Sequence, residues 1–167
     1  MKAVVLLSAL LSLPVLAAEP TLYGRYEYLQ LAELGKTLKA KMDTGAYTAS
    51  LSARDIQRFK RAGEEWVRFR LAADGADDSL YEHRLARISK IKNRADEGDD
   101  DPAAADVSKR PVIDLQLCLG HELRTVEVNR ADRSSFNYPL LIGAKALREF
   151  NAAIDPAKRF TAGKPAC

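Results

Sequence analysis

Short alternations of apolar and polar residues dominate the chain, and helical periodicity is scarce. Leu38-Lys39-Ala40-Lys41-Met42 alternates cleanly, which predicts a strand with Leu38, Ala40 and Met42 on one face. Trp66 to Leu71 repeats the pattern, placing Val67, Phe69 and Leu71 on the buried side of a half-exposed strand. Farther on, Ile113, Leu115, Leu117 and Leu119 share a face, with Asp114, Gln116 and Cys118 opposite. Gly120-His121 reads as a turn into a partner strand from Leu123 to Val128, so the pair predicts a hairpin. Leu140-Leu141-Ile142-Gly143 suits a buried strand, and it runs into Ala144 to Phe150, whose good helix formers predict one short C-terminal helix. The expectation is a mostly β domain without an internal repeat.

Two segments break this pattern. Residues 1–18 have the organisation of an export signal: Lys2, an apolar run from Ala3 to Leu13, then Pro14 and small residues up to Ala18. The run is about half the length of a membrane span, and Glu19 rather than Cys follows it, so neither an anchor nor a lipoprotein is expected. The remaining 19–167 form one domain, expected in the periplasm or secreted, with no stable membrane insertion after cleavage. Residues 93–108 collect Asp96, Glu97, Asp99, Asp100, Asp101 and Asp106 with little apolar content, which predicts an acidic mobile loop.

Charge and chemistry narrow the function. The formal net charge of +3 is small and evenly spread, which argues against nucleic acid or a membrane surface as partner. His83 and His121 are the sole histidines and fall in no dense ligand set, so no metal or cofactor is expected. Gly35-Lys36-Thr37 imitates the end of a phosphate-binding loop, but Gln30 stands where that loop needs glycine. There is no Gly-x-Ser-x-Gly elbow, and Ser134-Ser135 has no evident base. Cys118 and Cys167 can pair in an oxidising compartment or stay as two free thiols.

What remains is a carboxylate, in Asp43-Thr44-Gly45-Ala46. The triplet alone also suits an ordinary turn, with Asp capping and Gly bending the chain. Its surroundings are more specific. Gly24-Arg25-Tyr26-Glu27, Leu31 to Gly35, Leu38 to Leu51, Trp66 to Phe69, Arg110 to Ile113, Arg133 to Gly143, Leu147 and Asp155-Pro156 occur in this order. Across residues 23–163 the chain resembles the family often labelled "ATP-dependent zinc protease", associated with a glutamate ligase that modifies a ribosomal protein. Despite the label, that family looks like retropepsin-type aspartic endopeptidases. Phe136 stands where its members usually have Met, and Ala144 where they usually have Arg.

The resemblance implies a closed, acid-protease-like (retropepsin-like) β-barrel acting on a peptide or protein substrate. Asp43 would be the catalytic carboxylate, and a homodimer would supply the second copy that aspartic proteolysis needs. Thr44 would brace the loop through its hydroxyl, Gly45 would let the backbone close around the carboxylate pair, and Ala46 would line the floor. Ile142 and Gly143 would support the loop from behind. A β-rich segment between Trp66 and Ile113 would cover the cleft, and Arg68, Arg70, Arg84 and Arg87 would draw in carboxylate-rich peptides. Two alternatives stand beside this: a non-catalytic peptide-binding or scaffold domain of the same fold, and, taking the label literally, a zinc-dependent hydrolase.

Overall fold

The computed structural model describes residues 18–92, 107–131 and 137–167. The expected export signal and the acidic segment up to residue 106 lie outside this set, as do Arg133 to Phe136. Among the described residues there are eleven strands, a 3-10 turn at Ala32–Leu34 and one short α-helix. In chain order they are β1 (Thr21–Gly24), β2 (Tyr26–Leu31), β3 (Lys36–Asp43), β4 (Ala49–Arg61), β5 (Glu64–Leu71), β6 (Tyr81–Arg84) and β7 (Arg87–Lys92). There follow β8 (Val107–Leu119), β9 (Glu122–Ala131), β10 (Leu140–Gly143), α1 (Ala144–Glu149) and β11 (Ala152–Asp155). Val107 and Ser108, expected in the loop, instead open β8, where they pair with Lys92 and Ile91 of β7.

The order β10-β3-β2-β8-β9-β4 closes on itself because β10 also pairs with β4, giving a six-stranded barrel. Alternation explains its walls. Leu38, Ala40 and Met42 of β3 turn inward, as do Val67, Phe69 and Leu71 of β5 and Ile113, Leu115, Leu117 and Leu119 of β8. Each fully buried leucine or isoleucine contributes roughly 2 kcal/mol. β8 and β9 form the expected hairpin, but β9 runs past Val128 to Ala131. Its last residues leave β8 and pair in parallel with β4, Leu51 opposite Arg130.

β4 serves two layers. Its first residues close the barrel, then a bulge between Arg54 and Gln57, with Asp55 at φ 54°, turns it out to pair with β5. Ala62 (φ 50°) and Gly63 (φ 82°) make the turn between them, and β6 adds to the outer edge of β5.

Both ends of the domain are tied to the barrel. β1 pairs in parallel with β11, and a disulfide joins Cys118 to Cys167 across a sequence separation of 49 residues. Closing such a loop is worth roughly 4 kcal/mol in the chain-entropy account. Cys118 sits on the face expected to be polar, yet it is fully buried because the tail lies over it, Cys167 N–H donating to its Sγ at 3.2 Å.

Glu27 anchors the same tail from within. Its fully buried carboxylate accepts from Gly24 N–H (2.7 Å), Thr161 N–H (2.9 Å), the Thr161 hydroxyl (2.7 Å) and Ala162 N–H (3.1 Å). Glu27→Gln turns an amide N–H₂ towards these donors and removes the charge. We expect it to lower stability by about 2 kcal/mol, seen as a lower urea midpoint with an unchanged slope.

Candidate active site

β3 ends at Asp43 because its own side chain turns the backbone. Gly45 N–H donates to Asp43 Oδ1 at 3.1 Å, and Ala46 N–H donates to the Asp43 carbonyl at 3.3 Å, so residues 43–46 form a tight turn. Thr44 and Gly45 are exposed, and Tyr47 is 63% exposed. The tip of the loop is therefore exposed, while the Asp43 side chain behind it is 23% exposed.

β10 supports it from behind. It runs parallel to β3, with Ile142 opposite Met42 and Gly143 opposite Asp43. Ile142 is fully buried. A Cβ on Gly143 would lie 2.8 Å from the Tyr47 carbonyl oxygen, 2.8 Å from the Thr48 carbonyl carbon and 2.9 Å from the Ala46 carbonyl oxygen. The backbone of 46–48 thus occupies the space of a side chain. α1 starts at once after Gly143 and has no side-chain cap. The loop caps it instead: Ala144 N–H donates to the Ala46 carbonyl at 2.7 Å and Lys145 N–H to the Tyr47 carbonyl at 3.0 Å. These are orphan donors of a first helical turn, spent on holding the aspartate loop.

Glu127 of β9 fixes α1 further, meeting Lys145 Nζ at 3.0 Å and Arg87 Nη2 at 2.6 Å. The Arg87 guanidinium, with help from Lys145, holds the Glu127 carboxyl below its ordinary range despite burial. Beside the loop, Tyr138 stacks on Tyr26 with ring centroids 4.3 Å apart.

Among the described residues the carboxylate has one ion-pair partner. Lys41, two residues back and so on the same strand face, places Nζ 3.0 Å from Asp43 Oδ2. Burial pushes the Asp43 carboxyl up, but the Lys41 ammonium and the N–H groups of Gly45 and Ala46 together bring it below the ordinary value. A single chain therefore holds Asp43 ionised at neutral pH.

The other sequence candidates fall elsewhere. His83 is half-buried beside Glu33, its Nδ1 3.4 Å from a carboxylate oxygen; burial lowers its pKa and Glu33 acts against that. Among the described residues no group of three His, Cys, Asp or Glu side chains converges as a metal site. The four arginines expected to attract acidic peptides are engaged by acceptors of this chain. Arg68 meets Gln57, Arg70 meets Asp55, Arg84 meets Glu64 and Arg87 meets Glu127. Two features went unread in the sequence: the Lys41–Asp43 pair, which alternation along β3 signals, and a buried Arg130, which nothing local signals.

Comparison with known proteins agrees with this geometry. Residues 22–165 match the family model described as RimB-like, retropepsin-like aspartic endopeptidase RimB. The chain is 31% identical over 147 residues to a Shewanella halifaxensis protein named "Probable alpha-L-glutamate ligase", covering 84% of this chain and 30% of that protein. A Shewanella pealeana protein of the same name is 30% identical over 143 residues, with the same coverage of 84% and 30%. The chain thus spans about three tenths of the length of these curated relatives. A crystal structure of a Legionella pneumophila protein of unknown function superposes with a TM-score of 0.66 at 35% identity, covering 84% of this chain and 97% of that one. The barrel closed through β10, the aspartate turn it supports and the match over residues 22–165 agree: the chain belongs to the RimB-like family of retropepsin-like aspartic endopeptidases.

Proposed function

We propose that this chain is an exported aspartic endopeptidase that works as a homodimer, each protomer contributing one Asp43. The supporting observation is the aspartate turn itself: a partly exposed carboxylate at the foot of an exposed loop tip, gripped by Gly45 N–H and backed by Gly143 and the start of α1. The sequence holds one Asp-Thr-Gly, so a second carboxylate has to come from a second copy, and a two-fold axis through the exposed Thr44-Gly45 tip brings the two together. In such a dyad one ionised Asp43 takes a proton from water as the water attacks the scissile carbonyl. The other, protonated, hydrogen-bonds the carbonyl oxygen and the amine then leaves with a proton. Like charges at that distance split the two titrations, so the active form carries one proton per pair.

The substrate is a peptide in extended conformation, lying across the dimer axis. On this reading the β7–β8 ladder, from Arg87↔Val112 to Lys92↔Val107, would serve as the β-rich cover expected between Trp66 and Ile113. The names of the relatives support including glutamate-bearing peptides among the substrates tried.

The test is a digest of a diverse peptide library, glutamate-bearing members included, from acid to neutral pH at several protein concentrations. Cleavage should rise more steeply than linearly with protein concentration in the range where the dimer dissociates. It should fall as pH rises past the upper apparent pKa of the pair, because both carboxylates are then ionised. Strictly linear dependence from a species that sediments as a monomer would remove the shared dyad. Silence at every pH and concentration would return the chain to a peptide-binding domain of this fold.

A further inference from the structure

Arg130 has no part in the chemistry above, yet among the described residues it is the largest fully buried side chain, 1% exposed. Its position follows from Pro111. The β8–β9 ladder ends at Val112↔Asn129, just short of the residue that lacks an N–H; from there β8 pairs only with β7 and β9 only with β4, and Arg130 lies where they part. Arg130 Nη2 donates to the Val128 carbonyl at 2.9 Å and weakly to the Pro111 carbonyl at 3.4 Å, and its guanidinium carbon lies 4.8 Å from the centre of the Phe69 ring. Nε and Nη1 are buried without a partner among the described residues. Orphaned donors on a buried cation are among the most costly arrangements a fold can keep. Burial draws the guanidinium down to about 9, still above neutral, so the charge persists.

This side chain lines a cavity of about 820 Å³. Arg58, Lys90, Lys109 and Arg110 line it too, and no carboxylate does among the described residues. A concave site walled by one sign of charge concentrates the opposite ion. The cavity also shares a barrel wall with the aspartate turn. Arg130 is level with Leu51, Leu51 with Leu140, and Leu140 stands three residues before Gly143, about 10 Å along the strand.

We propose that this cavity binds a small oxyanion, a carboxylate or a phosphate group, with Arg130 as the buried positive charge of its wall and Lys90, Lys109 and Arg110 as the accessible donors around it. A bound anion there offsets the buried Arg130 charge, which no carboxylate among the described lining residues meets. The site does not depend on the peptidase reading, since Asp43 takes no part in it.

Calorimetric titration of the full chain at low salt, with inorganic phosphate in one arm and N-acetyl-triglutamate in the other, tests this. The expected result is saturable binding that weakens about tenfold in Arg130→Met and about fivefold in Lys90→Gln/Lys109→Gln. Asp43→Asn should leave it unchanged. Tighter binding of phosphate assigns the site to a free anion, and tighter binding of the peptide assigns it to a carboxylate side chain. The exposed double variant decides the matter if Arg130→Met does not fold. No saturable binding in either arm, or wild-type affinity in the folded variants, overturns the proposal. Binding with no peptide cleavage would sink the peptidase reading and leave this one standing.

Discussion

Asp43→Asn is expected to reduce peptide hydrolysis by at least about 10³-fold, the scale of losing a positioned acid–base group, with the fold left intact. The amide keeps the size of the carboxylate and retains an oxygen to accept the Gly45 N–H, so the turn at 43–46 has no reason to open. What is lost is the anion that takes a proton from water, and with it the like-charge pairing that keeps one proton in a dyad. The ionic partner is a small matter for stability. Lys41 is half exposed, and exposed pairs are worth at most about 1 kcal/mol, so the melting curve should barely move. Initial rates on a cleaved peptide, taken beside circular-dichroism melts, separate the two effects. Equal rates for wild type and variant would take Asp43 out of the mechanism.

The parts of this fold that were legible in the sequence are those where local pattern and final environment agree. β3, β5 and the inner face of β8 alternate because one face is buried, and their burial follows the alternation residue by residue. The aspartate turn is equally local: Asp43, Thr44 and Gly45 carry their own turn chemistry. Features that depend on distant chain were silent. Cys118 sits on a face that reads as polar and is buried only because a tail 49 residues away covers it. Glu27 reads as a surface residue of a strand, and its burial rests on donors from Thr161 and Ala162. Arg130 continues a strand whose apolar alternation has already ended, and its pocket is assembled from β4, β7, β8 and β9. The arginines chosen from sequence as readers of acidic peptides each lie against an acceptor of this chain that the sequence did not signal. Charge along a chain says nothing of which acceptors the fold will set beside it.

Gly143→Ala should cost more stability than alanine at the glycine of the triplet, and the comparison separates loop support from loop chemistry. A Cβ at 143 would meet three backbone atoms of residues 46–48 at 2.8–2.9 Å, and backbone cannot swing aside as a side chain can. Either β10 or the 46–48 segment has to move, and the latter carries the two carbonyls that cap α1. We expect a loss of about 3 kcal/mol in denaturant stability, at the upper end for overpacking. A fall in activity of about 10²-fold should accompany it even where the protein is fully folded, because the carboxylate shifts with its loop. At Gly45 a Cβ would meet only Asp43 Oδ1 at 3.4 Å, an ordinary contact, so a single chain tolerates alanine there. Gly45→Ala is therefore expected to leave the monomer about as stable as wild type. If it nevertheless abolishes cleavage and shifts sedimentation towards monomer, the glycine is needed where a second chain approaches the exposed tip of the turn. Unchanged cleavage would show that the two loops never come that close, and the shared dyad would have to be abandoned.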